Sequence, residues 1–248
     1  MDKKQIIERF GQLCSVIKTN EIERTTIGTL GEKCLHLILK NSFEPDTEFH
    51  EIKMGRLFAD IKNRDGVTEI QTGNFHALKK KLDYFLTVDK VRIIYPIPRI
   101  KHLVWIDTET GEITSKRKSP KKGDWYDAFR ELYKIKDYLN NDGVTVTLCL
   151  IDLTEYRYLD GWSRDKKRGS TRCDRIPDCM VDYVELTKKD DYRILLPENL
   201  PKEFTVKEFA KAAKKTEDTA SKGIYLLKSI GVIHQTGKKG RAYLYSAD

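Results

Sequence analysis

The stretch RLFADIKNRDGVTEIQT, residues 56–72, decides the fold of the first part of the chain. Two segments with alternating apolar residues flank Asp65-Gly66, a dipeptide that readily adopts the positive φ angles of a tight turn. We therefore predict strands over residues 56–62 and 67–72, joined as a β-hairpin. The hairpin is the starting point for the rest of the prediction, because it carries acidic side chains that could bind a metal or take part in catalysis.

The register of this hairpin determines which side chains become neighbours. Residues two apart on a strand share a face, so Glu69 and Gln71 point the same way. A tight turn closed by Asp65-Gly66 pairs Lys62 with Glu69. A four-residue loop instead pairs Asp60 with Glu69. Either register gathers Asp60, Lys62, Glu69 and Gln71 on one face.

Two carboxylates on one face of an apolar hairpin are costly, because they repel each other and resist burial. A divalent cation removes this conflict. Mg²⁺ prefers hard oxygen ligands in near-octahedral geometry and keeps several waters, and it can ready one of them for attack on phosphorus. The alternative is that Asp60 and Glu69 belong to the solvent face of a surface hairpin.

The elements around the hairpin form a recognisable order. A helix predicted over residues 29–40 precedes it, and a helix over 74–87 and an apolar strand over 91–95 follow it. This order resembles the core of the PD-(D/E)XK nuclease superfamily, over roughly residues 25–97. The resemblance implies an α/β, restriction-endonuclease-like fold with a mixed central sheet flanked by helices.

The resemblance also assigns roles to individual residues. Asp60 matches the motif aspartate, Glu69 the second acid, and Gln71 the position usually held by lysine. Asp60 and Glu69 are then expected to bind Mg²⁺ or Mn²⁺, with the Ile70 carbonyl oxygen as a further ligand. Glu32, on the preceding helix, would complete the shell directly or through water. Gln71 departs from the pattern, although its amide can still orient a water by hydrogen bonding.

Lys62 is a second candidate for the missing positive charge. It shares the predicted face with Glu69 and would act from the neighbouring strand, or would simply form a cross-strand ion pair with Glu69. His36 lies four residues after Glu32 and shares its helix face, and His50 lies on the strand before the hairpin. Each histidine is either close to the site or an ordinary packed or solvated side chain.

The charge of the chain favours a polyanionic partner. The formal net charge is +8 over 248 residues, and a basic surface of this size favours nucleic acid first. Two basic segments, residues 116–122 and 164–175, are either solvated loops or loops that contact DNA. The candidates in the second segment are Arg164, Lys166, Lys167, Arg168 and Arg172.

Residues 197–248 are predicted to form a small domain separate from residues 1–196. Two amphipathic helices, over 205–214 and 217–230, precede a hairpin over 232–245 with a basic tip. This order resembles a winged helix-turn-helix, which implies DNA binding through the second helix and the wing; contacts with a protein are the alternative. The usual preceding helix is hard to find, so the unit is either truncated or supported by the first domain. The candidate contacts are Thr216, Thr219, Ser221, Lys222, Lys238, Lys239 and Arg241.

Together these features predict a magnesium-dependent endonuclease that hydrolyses phosphodiester bonds in double-stranded DNA, with restriction or phage defence as the role implied by analogy. The alternatives are a catalytically inactive nuclease-fold DNA-binding protein or regulator, and an RNA-processing nuclease. The lack of an aromatic RNA-recognition motif favours DNA. Double-strand cutters often act in pairs, so a homodimer is expected.

The five cysteines include no CxxC pair, and the N-terminus lacks an apolar run typical of a signal peptide. We therefore predict reduced thiols and a cytoplasmic protein with no membrane partner.

Overall fold

A computed structural model describes residues 2–22, 34–160 and 171–247 of the chain. These residues form an α/β structure with a large mixed sheet flanked by helices, so the predicted class is confirmed. Among the helices in these ranges, none is both long and apolar enough to cross a membrane. Several predicted site residues lie outside the described residues: Glu32, Arg164, Lys166, Lys167 and Arg168.

The regular elements follow one another in the order of the printed sequence. The α-helices are α1 Lys3–Ile22, α2 Cys34–Phe43, α3 Phe75–Phe85, α4 Phe129–Leu132, α5 Val206–Ala213 and α6 Glu217–Ile230. The strands are β1 His50–Met54, β2 Leu57–Asn63, β3 Gly66–Ile70, β4 Val91–Ile106, β5 Arg117–Lys118, β6 Val144–Tyr158, β7 Arg172–Leu186, β8 Ile233–Lys239 and β9 Ala242–Ala247. Short 3-10 helices flank α4, at Trp125–Ala128 and Tyr133–Tyr138.

Seven strands form one sheet, in the order β1-β2-β3-β4-β6-β7, with β5 paired to β4. β2 and β3 are antiparallel, whereas β3 and β4 are parallel. Parallel neighbours need a crossover connection, and α3 provides it. β8 and β9 form a separate antiparallel pair.

The β2–β3 hairpin has one of the two registers that the sequence allows. Ile61 lies opposite Thr68, and continuing this register by one pair places Asp60 opposite Glu69. Of the two predicted registers, this is the one that pairs Asp60 with Glu69, and the pairing of Lys62 with Glu69 is wrong. Asn63 also pairs with Gly66, so the turn consists of Arg64 and Asp65, and neither the predicted four-residue loop nor a turn centred on Asp65-Gly66 forms. Gly66 permits the turn, because its φ is +119° and a Cβ there would lie 2.6 Å from a backbone oxygen.

The chain divides into two compact units, each assembled from separate stretches of sequence. The first unit comprises Met1–His50, Pro98–Gly123 and Cys149–Tyr183, and the second comprises Glu51–Ile97, Asp124–Leu148 and Val184–Asp248. The predicted boundary after residue 196 stays a prediction. In this division the C-terminal residues group with the hairpin and α3, so no boundary of either unit falls there.

The C-terminal elements of the second unit are two helices and a hairpin, in the predicted order. α5 begins at Thr205, whose side chain accepts from the Glu208 amide while the Glu208 side chain accepts from Thr205 N. α6 ends at Gly231, where φ is 82°. Both helices lie within the predicted ranges, 205–214 and 217–230.

Phe129 of α4 supports these two helices within the second unit. Its ring is fully buried and its centroid lies 5.9 Å from that of Phe209 on α5. On α6, a Cβ at Gly223 would come within 2.7 Å of the same ring. The residues around α4 therefore supply the packing partner that is hard to find next to the helices in the sequence.

Candidate functional site

Asp60 and Glu69 meet across β2 and β3. The Ile70 amide donates to Asp60 Oδ2 at 2.7 Å, and the Asp60 amide donates to Glu69 Oε1 at 3.4 Å. β3 is an interior strand with both faces covered, so Glu69 is only 2% exposed, whereas Asp60 is half-buried. The hairpin thus brings the two predicted acids together.

Lys81 of α3 completes this grouping, and the sequence analysis missed it. Its Nζ lies 2.7 Å from Glu69 Oε2. The residue follows buried Leu78 by three positions and precedes buried Phe85 by four, so it stands on the flank of the helix face that packs inward. That spacing, together with the crossover of α3 between parallel strands, is the signal that identifies it.

The environment of Glu69 disfavours its charged form. Burial raises its pKa, and the neighbouring charge of Asp60 raises it further, while the hydrogen bond and charge of Lys81 lower it. The net result is a pKa of about 7. A buried carboxyl group whose ionisation is disfavoured by a neighbouring carboxylate is the condition that a divalent cation relieves.

We expect the stability of the protein to fall as the pH rises from about 4.5 to about 7. In this window the folded state keeps a proton on Glu69, whose ordinary pKa is 4.5, and the unfolded state does not. Urea unfolding without divalent ions, measured at several pH values, should show this loss in the wild type. The Glu69→Gln protein should lack this component, and an identical pH profile in both proteins would count against the raised pKa.

Gln71 is held by the loop that precedes α3. Its Nε2 donates to the Gly73 carbonyl and, at 3.4 Å, to the Asn74 carbonyl. Its backbone amide donates to the Ile94 carbonyl at 2.9 Å. The side-chain nitrogen therefore bonds to carbonyl oxygens of the loop, and the predicted water-positioning role of Gln71 stays a prediction.

Lys62 does not form the predicted ion pair with Glu69. It lies opposite Val67, toward the turn, and its Nζ is 3.0 Å from Asp89 and 2.7 Å from the Asn63 carbonyl. The register places Lys62 beyond the acids and close to the segment that leads into β4. The predicted cross-strand ion pair is therefore wrong, and the catalytic role of Lys62 stays a prediction.

The two histidines considered beside the acids have different surroundings. His50 Nε2 lies 2.9 Å from the Glu44 carbonyl, which ties it to the segment before β1. His36 is half-buried on α2. Across residues 2–22, 34–160 and 171–247, no three His, Cys, Asp or Glu side chains are gathered as a metal site would need; the predicted third acid, Glu32, is not among those residues.

Residues 33–187 match the family described as "Domain of unknown function (DUF8091)". This chain belongs to the DUF8091 family. A curated relative of the DUF8091 chain is an "Uncharacterized protein" of Treponema pallidum (strain Nichols), which is 26% identical over 221 residues, covering 89% of this chain and 87% of the relative. No solved structure matches the chain.

The DUF8091 region contains the hairpin acids and Lys81 and ends before α5, so the C-terminal helices lie beyond it. In those helices Thr219 is 6% exposed, and its hydroxyl accepts from Arg130 Nε at 3.1 Å and contacts Thr216. Its predicted contact with DNA is therefore wrong, because the start of α6 packs under Arg130. Ser221 and Lys222 are half-buried, and Lys222 pairs with Asp218.

The β8–β9 hairpin beyond the DUF8091 region presents its basic side chains at the surface. Lys238 lies over the Tyr243 ring, 5.0 Å from its centroid, and Lys239 lies 3.9 Å from Glu208. Arg241 is exposed at the tip between β8 and β9. The basic residues of this hairpin can therefore contact a partner, whereas the buried Thr219 cannot.

Arg172, inside the DUF8091 region, lies at the start of β7. It contacts the buried Glu155 at 3.7 Å. The basic segment 116–122 contains β5 and places Lys116 3.8 Å from Asp178. Both features lie in the first unit, whereas Asp60 and Glu69 belong to the second.

Proposed function

We propose that this protein is a metal-dependent phosphodiesterase that cuts DNA, with its active site at Asp60, Glu69 and Lys81. The observation that carries the proposal is the meeting of two carboxylates, one of them buried, with a lysine in direct contact. Carboxylate oxygens are the hard donors that Mg²⁺ and Mn²⁺ prefer. Glu32 is proposed as an additional ligand, and the Ile70 carbonyl oxygen as another.

The order of the elements supports this proposal. An antiparallel meander, a crossover helix and a strand parallel to the last strand of the meander are the parts of a PD-(D/E)XK core. The resemblance places the motif acids on the two strands of the hairpin. Here Asp60 stands on β2 and Glu69 on β3, in facing positions.

Each side chain has a definable task in this proposal. A divalent ion held by Asp60 and Glu69 would supply the Lewis acidity that readies water and stabilises charge on the phosphate. Lys81 provides the positive charge that the motif usually places at the position of Gln71. Its ammonium group can stabilise negative charge that develops on phosphoryl oxygens, because it lies at the same buried place.

The C-terminal elements are proposed to be a winged helix that contacts DNA. Because Arg130 covers the start of α6, we assign the contact to the wing, through Lys238, Lys239 and Arg241. Contact with a protein is the competing use of this surface. Homodimer formation and a role in restriction or phage defence stay predictions.

A second candidate is a DNA-binding protein without nuclease activity. The amide of Gln71 favours it, because the Nε2 group bonds to loop carbonyls and has no charge to offer. This candidate predicts tight, salt-dependent binding to DNA and no cleavage with any metal.

Cleavage of supercoiled plasmid, single-stranded DNA and RNA, with Mg²⁺, Mn²⁺ or a chelator, tests the proposal. We expect metal-dependent cutting of DNA by the wild type and its loss in the chelator. Parallel preparation of the Glu69→Gln protein controls for contaminating nucleases. Equal cutting by both preparations, or no cutting of DNA by either, would overturn the proposed function, and preferential cutting of RNA would favour the RNA-processing alternative.

A further inference from the structure

Glu155 of β6 is a fully buried carboxylate surrounded by cations of the first unit. Its oxygens lie 2.6 Å from Arg157, 3.0 Å from Arg175, 3.6 Å from Lys101 and 3.7 Å from Arg172. These residues come from β4, β6 and β7 and are named the Glu155 cluster below. Four cations thus share contact with one carboxylate, and none of the contacts involves the second unit.

The charge in this cluster is out of balance. Burial lowers the pKa of Lys101, and repulsion from Arg175 and Arg157 lowers it further against the attraction of Glu155. Burial also lowers the pKa of Arg172, with repulsion from Arg175 next in importance. Holding like charges together is unfavourable, and among the described residues Glu155 offsets only one of Lys101, Arg172 and Arg175.

Another ion pair of the same unit has one cation for one carboxylate. Arg99 donates through two nitrogens to both oxygens of Asp152. One guanidinium and one carboxylate satisfy each other there, in the bidentate geometry common to such pairs. Lys101, Arg172 and Arg175 alone exceed this requirement, so stabilising Glu155 does not by itself account for all of the cations around it.

The cations of the cluster reach solvent although Glu155 does not. The exposed fraction of the side chain is 42% for Arg172 and 17% for Arg175. Arg175 meets Glu155 through Nε, so its guanidinium carries further N–H donors beyond that bond. The carboxylate thus orients cations that also present donors to solvent, which is the arrangement that a bound phosphate needs.

Further positive charge continues from the cluster along the sheet. Arg117 and Lys118 form β5, which pairs with β4 so that Lys118 lies opposite His102 and Arg117 opposite Leu103. Both cations are exposed. Arg117 shares the face of Lys101, because it lies opposite Leu103, two positions along β4, whereas Lys118 points to the other face. An additional exposed cation on the face of the cluster suits neighbouring phosphates of a polymer better than a single free phosphate.

We propose that the Glu155 cluster binds a phosphate of a nucleic-acid backbone. The site belongs to the first unit and does not depend on whether the Asp60–Glu69 site cuts DNA. The interaction is with the backbone, so it is independent of base sequence. Arg172, one of the residues predicted as a DNA contact, is the most exposed member of the site.

Binding of a fluorescent DNA duplex, followed by anisotropy over a range of NaCl concentrations in a chelator, tests this site without cleavage. Each phosphate contact contributes about 0.9 to the slope of log Kd against log[NaCl] for duplex DNA. We expect Arg172→Gln to reduce the slope by about one and to weaken binding several-fold at moderate salt. The matched control is Arg193→Gln, a similarly exposed arginine paired with Asp190 in the second unit, and its slope should equal that of the wild type.

Two results would overturn the proposal. The first is an unchanged slope in Arg172→Gln, and an Arg172→Gln/Arg175→Gln protein, checked for folding by circular dichroism, repeats the test with two cations removed. The second is binding of tripolyphosphate to the cluster by a protein that binds no DNA duplex. The cluster would then be a site for free phosphates. Because the chelator prevents metal-dependent cutting, failure of the proposed nuclease function leaves this measurement intact.

Discussion

Asp60→Asn is expected to lower metal-dependent cleavage of DNA by at least about 10³-fold. The substitution keeps the size of the side chain and its acceptor for the Ile70 amide, but it removes the charge that would hold the metal next to Glu69. Loss of a group that stabilises charge in a buried site typically costs about 10²–10³-fold, and loss of a metal ligand is expected to cost at least as much. Initial rates of plasmid nicking measure the effect.

Asp65→Asn is the matched control, since it makes the same chemical change at the exposed turn of the same hairpin. It should retain full activity. An Asp60→Asn protein that cuts as fast as Asp65→Asn would exclude the proposed active site.

The same assay separates the two lysines. Lys81→Met should reduce the rate by about 10²-fold or more, because its positive charge lies against Glu69. Lys62→Met should leave the rate nearly unchanged, because Lys62 pairs with Asp89. A larger loss of rate in Lys62→Met than in Lys81→Met would show that Lys62 of the hairpin, and not Lys81, supplies the catalytic positive charge.

Glu155→Gln is expected to destabilise the protein by about 3–5 kcal/mol. The change leaves four neighbouring cations without their shared counterion, in a place where Glu155 is fully buried. Equilibrium unfolding in urea at neutral pH measures the loss. Glu185→Gln is the matched control: Glu185 forms an exposed ion pair with Arg92, and its removal should cost less than about 1 kcal/mol.

The pH dependence of the wild type gives an independent check. Burial raises the pKa of Glu155, but Lys101, Arg157 and Arg175 outweigh it and lower the pKa to about 2. A depressed carboxyl pKa contributes stability that is complete above the ordinary value of 4.5 and is lost as the pH falls toward 2. The Glu155→Gln protein should lose less stability than the wild type over this range, and equal losses in both would show that the carboxylate is not held by the cations.

Local sequence rules determined the elements that carry the candidate site. Alternation of apolar residues and the Asp-Gly turn predicted the hairpin, and the two-residue period of a strand set Asp60 and Glu69 on a common face. Capping residues set the bounds of α5 and α6. These features depend on neighbours within a few positions, which is why they can be read from the chain directly.

Tertiary structure alone decided the partners of the charged residues. Lys81 reaches Glu69 because α3 crosses over between parallel strands, and Lys62 turns to Asp89 because the register moves it toward the turn. Thr219 is buried because Arg130 of a distant segment covers it.

The Glu155 cluster is the clearest case of contacts that local sequence does not predict, since Lys101 and Arg175 are far apart in sequence and meet at one carboxylate. The physical reason is that secondary structure follows from local periodicity, whereas an ion pair depends on which strands become neighbours in the sheet. That choice is made by packing of the whole chain.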